Sequence, residues 1–363
     1  MNRKIKILVV DDSAFMRRVI SDIINSDYRF TVIGTAKNGE EGLEKVRELD
    51  PDVITLDVDM PEMDGLEMLK ILMKENPKPV LLISAYTKEG ADTTIRALGL
   101  GAADFITKPS NIFKMNEKEI RDDIIKRILL ISNISNFPSD NKKRTSKSSQ
   151  DISPKDKKEQ KQEQSVNSNI KKIVAIGTST GGPRALQEVL PDLPQSLPAT
   201  YVIVQHMPSR FTKSLAERLN NICQIRVKEA EDKDVLHPGV AYIAPGNYHI
   251  LIEKMPYSND LWIRLSSSPS VSGHRPSVNV MLNSLSEINS NDIIGVIMTG
   301  MGNDGCEGMK KLKSNNNAYV IAQDEKTSVI YGMPKAVIDE GIADAIVPIN
   351  KIAKEIIRVV EVH

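Results

Sequence analysis

The sequence predicts an α/β protein made of two doubly wound, mostly parallel domains, and three observations carry that reading. Short β-branched runs alternate with amphipathic stretches in both halves of the chain. A polar segment almost without apolar residues divides the halves, and hairpin-like sequence interrupts only the second.

In residues 1–138, IKILVV, FTVIG, DVITL, PVLLIS and ADFIT read as the five strands of a flavodoxin-like parallel sheet. SAFMRRVISDII and GLEMLKILMKE have helical spacing and supply the crossovers that cover both faces. Residues 139–171 are rich in Lys, Gln and Ser. They cannot bury enough surface to offset their ordering entropy, so this segment is expected to be a flexible linker. Residues 172–363 repeat the strand–helix scheme with KIVAIG, TYVIVQ, IIGVIMTG, AYVIAQ and IADAIVP. VAYIAPGNYHILIE and LWIRLS between them read as a hairpin-rich insertion, and no sequence repeat relates the two halves.

Charge narrows the function classes. The chain has 48 basic and 48 acidic residues; the net charge is −3 over 1–138, +5 over 139–172 and −2 beyond. The basic excess sits in the tether, which argues against nucleic acid or an anionic membrane as the main partner. With neither a helix-turn-helix pattern nor a basic recognition helix, a DNA-binding regulator is disfavoured. Two cysteines, Cys223 and Cys306, make no disulfide framework. No apolar run approaches the roughly 18 residues of a membrane span. The expectation is a cytoplasmic, monomeric protein without membrane insertion.

In open parallel sheets, ligands bind beyond the carboxyl ends of the strands. Asp11 and Asp12 follow the first strand, Asp57 ends the third, Ser84 ends the fourth, and Lys108 follows the fifth, before Pro109. Crowded carboxylates call for a cation, and hard oxygen ligands suit Mg²⁺. Lys108 and Ser84 would meet the oxygens of an incoming phosphoryl group. A blander reading has Asp11 and Asp12 capping the first helix. With these residues, 3–133 resembles the response-regulator receiver family. That resemblance implies phosphorylation at Asp57 by a partner histidine kinase, with Mg²⁺ held by Asp11, Asp12 and Asp57. It further implies that Ser84, Phe105 and Lys108 relay the switch.

The second domain opens with GTSTG, residues 177–181, which fits the G-x-S-x-G pattern of a nucleophile on a sharp strand-to-helix turn. Gly182-Pro183 begins the next helix, whose N-terminus favours either a bound phosphate or a developing oxyanion beside Ser179. Neither the lysine of a P-loop nor G-x-G-x-x-G spacing accompanies it. A serine nucleophile needs a base, and five histidines are available. His363 ends the chain, His237 lies in a turn, and His249 has an ordinary place in a strand. His206 comes just past a buried-type strand on the same sheet edge as Ser179, with His274 in SGHRPSV the runner-up. Asp304, among the glycines of TGMGNDGCEGM, is the candidate orienting acid, against an Asn-Asp-Gly turn without chemistry.

The order Ser179, His206, Asp304 is not that of α/β-hydrolases. GTSTGGP, QHMP, IAPGNYH, SVSGHRPSV, TGMGNDGCEGM and AQDEKTSVIYGMPKAV instead closely resemble the chemotaxis methylesterase family, CheB-type proteins. The resemblance spans nearly all of 172–340, with Thr178 where alanine is common and Asn279 where aspartate is common. It implies a phosphorylation-activated serine esterase that hydrolyses glutamate γ-methyl esters on chemoreceptors, and in many members deamidates glutamines. It maps nucleophile, base and acid onto Ser179, His206 and Asp304; Met301 is a candidate oxyanion donor, and no cofactor is expected in this domain. A non-enzymatic, receiver-coupled binding module is the alternative from a different class.

Overall fold

The computed structural model describes residues 3–108, 117–132, 134, 170–258, 260–288 and 292–362. Pro109, His363 and all of the expected linker except Ile170 and Lys171 lie outside the described residues.

The first domain runs β1 (Ile5–Val10), α1 (Ala14–Asn25), β2 (Phe30–Ala36), α2 (Gly39–Leu49), β3 (Val53–Asp57), α3 (Gly65–Glu75), β4 (Val80–Ser84), α4 (Lys88–Leu100), β5 (Asp104–Thr107) and α5 (Glu117–Ser132). Its five strands are parallel in the order β2-β1-β3-β4-β5. β3 and β4 are buried along their whole length, as central strands covered on both faces must be. The capping alternative for the acidic pair is not met. Ser13 is the N-cap of α1 and accepts from the Met16 amide at 3.4 Å. Asp11 accepts from the Ser13 amide at 2.9 Å, and Asp12 is exposed. The helix therefore leaves both carboxylates at the strand edge.

The second domain runs β6 (Lys172–Thr178), α6 (Gly182–Val189), β7 (Ala199–Gln205), α7 (Phe211–Ile222), β8 (Arg226–Glu229), β9 (Val240–Ile243), β10 (His249–Lys254), β11 (Leu261–Ser266), α8 (Val278–Ser286), β12 (Ile293–Ile297), α9 (Cys306–Asn316), β13 (Tyr319–Gln323), α10 (Met333–Asp339), β14 (Ala345–Val347) and α11 (Ile349–Val362). Seven parallel strands lie in the order β14-β13-β12-β6-β7-β9-β8. The expected insertion is smaller than its sequence suggested. VAYI is β9, paired parallel to β7 and β8; among the described residues only β10 and β11 form an antiparallel hairpin, from His249 opposite Ser266 to Lys254 opposite Leu261. Ala241, Tyr242 and Ile243 are all buried, so this short run has the two-sided burial of a parallel strand.

From β6 the chain winds to β7 on one side and later to β12 on the other. That reversal is a topological switch point, and it brings three loops to one crevice. The two domains also pack together. Phe105 stacks on Phe211 at 4.6 Å between centroids, and Tyr86 Oη lies 2.7 Å from Ser209 Oγ. The Arg210 guanidinium sits 4.9 Å over the Tyr86 ring and donates to the Tyr86 carbonyl at 3.0 Å. Both cysteines are free, and no helix among the described residues is long and apolar enough to cross a membrane.

Candidate active site

Ser179 stands between β6 and α6, on a turn fixed from three sides. Its amide donates to the Thr299 carbonyl at 3.0 Å, and its carbonyl accepts from the Gly182 amide at 2.8 Å and Gln205 Nε2 at 3.0 Å. Gly181 has φ 79°, a left-handed conformation that favours glycine. At Gly182 a β-carbon would lie 1.9 Å from Gln205 Oε1, so any side chain there would displace Gln205. Gln205 Oε1 accepts from Thr178 Oγ1 at 2.5 Å. This gives the threonine a buried partner at the position where the motif commonly has alanine.

His206 follows β7 directly, its amide donating to the Thr178 carbonyl at 3.1 Å. Its Nε2 lies 2.8 Å from Asp304 Oδ2, between side chains 6% and 2% exposed. Asp304 accepts from three further donors: Ser277 Oγ at 2.9 Å, the Val278 amide at 2.7 Å and the Asn279 amide at 2.9 Å. The carboxylate thus caps α8 from another segment of the chain, against the positive end of the helix dipole. Burial alone would raise its pKa. The His206 hydrogen bond and charge, with the Asn279 and Val278 amides, hold it below the ordinary carboxylate value.

With Nε2 engaged by Asp304, the other ring nitrogen is left over: His206 Nδ1 is buried and has no hydrogen-bond partner among the described residues. Ser179 and His206 line the same cavity of about 370 Å³, together with His274 and Met301. Neither the Thr180 nor the Met301 amide has an acceptor among the described residues. The first domain contributes Asp104, Phe105 and Arg127 to the cavity wall. Thr180, next to Ser179, donates to Asp104 Oδ2 at 3.0 Å, and Arg127 Nη1 reaches the same oxygen at 2.8 Å. Of the other histidines, His237 is exposed; His249 is buried, accepting at Nδ1 from the Ser277 amide at 3.2 Å and facing the Pro269 carbonyl through Nε2 at 3.1 Å.

At the strand ends of the first domain, ligand oxygens of Asp11, Asp12 and Asp57 lie within 4.8 Å of one another. Lys108 Nζ donates to Asp57 Oδ2 at 2.6 Å and lies 3.2 Å from Asp11 Oδ2, which is buried without an aligned donor. Burial, reinforced by Asp11 and opposed by Lys108, pushes the Asp57 pKa up to about 6. Three carboxylates gathered around the single Lys108 ammonium leave an excess of negative charge that fits a hard divalent cation. Ser84 Oγ donates to the Gly90 carbonyl in α4 at 3.1 Å, and Phe105 faces the second domain.

The family model described as CheB methylesterase matches residues 174–356, and that of the response regulator receiver domain matches 7–118. Among curated relatives, a protein-glutamate methylesterase/protein-glutamine glutaminase of Halalkalibacterium halodurans is 48% identical over 358 residues, 99% of each chain. The chain belongs to the CheB methylesterase family. It is therefore a hydrolase joined to a receiver domain. A relative of the same description from Pyrococcus horikoshii is 45% identical over all of this chain and 95% of its own. The crystal structure of the Thermotoga maritima CheB methylesterase catalytic domain is 45% identical and covers 52% of this chain and 98% of that one, with a TM-score of 0.50.

Against the family pattern, Asn279 is the other departure, and its side chain faces the fold. Asn279 Oδ1 accepts from the Gly308 amide at 2.8 Å, tying α8 to α9. Sequence reasoning missed the cradle of Ser277, Val278 and Asn279 around Asp304. Its one available signal was a serine standing before the apolar run of α8, which reads as a cap.

Proposed function

We propose that this enzyme hydrolyses glutamate γ-methyl esters on the cytoplasmic helices of chemoreceptors, with Ser179 as nucleophile, His206 as base and Asp304 as orienting acid. The contact of His206 with Asp304 beside Ser179, on adjacent strand ends, carries the reading. Ser179 Oγ attacks the ester carbonyl while its proton passes to His206 Nδ1, the ring nitrogen with no other partner. Asp304 accepts a hydrogen bond from Nε2–H and, remaining ionised, stabilises the imidazolium. The Met301 amide, and that of Thr180, donate to the oxyanion; removing one such donor typically costs roughly 3 kcal/mol of transition-state stabilisation. Methanol departs with the proton from Nδ1, leaving an acyl-serine. Water then adds, returning its proton through His206, and releases the glutamate carboxylate. A glutamine substrate would follow the same course with ammonia as the leaving group.

Control is assigned to Asp57, which accepts a phosphoryl group from a chemotaxis histidine kinase. Mg²⁺ held by Asp11, Asp12 and Asp57 would neutralise charge at that site. Lys108 and Ser84 pair with the phosphoryl oxygens, and Phe105 carries the change to the second domain. Before phosphorylation, the receiver restricts the shared cavity. We place the boundaries at 1–138 for the receiver, 139–171 for the linker and 172–363 for the catalytic domain, and the protein in the cytoplasm as a monomer.

Methanol release from methylated receptor, with and without a small phosphodonor, tests chemistry and control together. Wild type should turn over faster with the donor, and Ser179→Ala should release no methanol above background. Wild-type turnover by Ser179→Ala would overturn the assignment.

A further inference from the structure

A tight turn brings a second imidazole against the first. Ser272 and Gly273 have φ of 51° and 81°, and Val271 and His274 exchange backbone hydrogen bonds of 3.0 and 2.9 Å across them. The His274 ring then lies on His206, centroids 3.9 Å apart and planes 5° from parallel. The segment is anchored on both sides. Arg275 Nη1 donates to the Ser267 and Ser268 carbonyls at 2.8 and 2.9 Å, and Ser277 holds Asp304. One stretch of chain therefore supports the flat face of His206 and the carboxylate on its edge.

We propose that His274 is a positioning residue for acyl transfer: its ring backs the His206 imidazole and fixes the plane in which Nε2 meets Asp304 and Nδ1 is presented to Ser179. This rests on the Ser179–His206–Asp304 reading above. Two features suit His274 to the task. No hydrogen bond ties its own ring nitrogens to a described residue, so the stacking face is its principal contact with the site. Burial, then the neighbouring His206, lowers its pKa to about 4; Lys126 and Arg127 act in the same sense, and Asp304 opposes them. At neutral pH the ring is uncharged, so the charge formed on His206 during attack meets a π face rather than a like charge. His206 needs such support because Nδ1 offers no hydrogen bond to hold the ring before substrate arrives.

The test compares His206→Ala, His274→Ala and His274→Phe in the full-length protein, with phosphodonor, by methanol release from methylated receptor. His206→Ala is expected to be inactive. His274→Ala should lose about 10- to 100-fold in kcat with KM little changed, since misplacing a reacting group by an ångström costs on that order. His274→Phe, flat but untitratable, should recover to within about 5-fold of wild type, with the same pH profile at neutral and alkaline pH. If His274→Ala does not fold, His274→Leu replaces it with the same expectation. Wild-type kcat in His274→Ala, beside an inactive His206→Ala, overturns this inference and leaves the triad intact. A Phe variant as inactive as Ala also overturns it, because His274 would then be moving a proton. Turnover by His206→Ala overturns the triad reading and this inference with it.

Discussion

Asp304 accepts hydrogen bonds from four groups, and His206 is only one of them. In Asp304→Asn the amide nitrogen would face donors from His206, Ser277, Val278 or Asn279, leaving at least one unmatched in a buried place. The imidazolium also loses its counter-charge. Methanol release should fall about 10³-fold or more, and a thermal melt should drop by several degrees. His274 makes a separate, pH-dependent prediction. Its pKa is about 4 in the fold and near 6.5 in the unfolded chain, so between those values the unfolded state binds more protons. Its stabilising contribution is complete above the unfolded value and is lost as pH falls toward the folded one. His274→Phe should therefore flatten the decline in melting temperature with falling pH across this window; a decline as steep as that of wild type would contradict it. His206 is legible as the base, ahead of His274, because it directly follows an apolar strand. Which ring nitrogen meets Asp304 was not legible, because Ser277 and its neighbours, which turn the carboxylate, lie 27 residues from it in sequence.

At the scale of elements, strand and helix alternation was readable because buried parallel strands are short apolar runs bounded by turn residues. The same property hid β9: four residues, VAYI, fit a hairpin arm as well as a buried strand until the pairing with β7 and β8 is known. The serine turn was readable too, since Gly181 adopts a left-handed backbone and Gly182 packs closely against its neighbours. Its dependence on Gln205 was not, because Gln205 comes from the next strand. That dependence can be tested through Gly182→Ala. The added methyl group would meet Gln205 Oε1 at 1.9 Å and Thr178 Oγ1 at 2.7 Å, displacing the amide that holds the Ser179 carbonyl. Overpacking of this kind costs about 1–3 kcal/mol, so chemical denaturation should occur at lower denaturant concentration. The esterase rate should fall further than stability alone explains, with loss in kcat rather than KM.

For the molecule as a whole, the receiver and catalytic domains meet where neither sequence announces an interface. Tyr86 and Phe211 look like ordinary core residues, and Asp104, at the start of β5, and Thr180, in the turn after β6, are polar residues of separate domains; only folding puts their side chains 3.0 Å apart beside Ser179. Covalent connection keeps the domains at high mutual concentration, so a modest contact suffices to restrict the cavity. Tyr86 is the place to weaken that contact without touching the reacting groups. Tyr86→Ala removes the bond to Ser209, the ring beneath Arg210 and the tilted ring contact with Phe211 at 6.1 Å between centroids. Together these are worth about 2 kcal/mol, a shift of roughly 30-fold in the docking equilibrium. Unphosphorylated Tyr86→Ala should thus release methanol severalfold faster than unphosphorylated wild type, rising toward but not beyond the phosphorylated rate. Addition of a small phosphodonor should then produce a smaller stimulation than in wild type, while the stimulated rates agree. If the basal rate is unchanged although the variant is folded and accepts phosphate, the docked receiver does not restrain the esterase, and phosphorylation must act on the catalytic groups by another route.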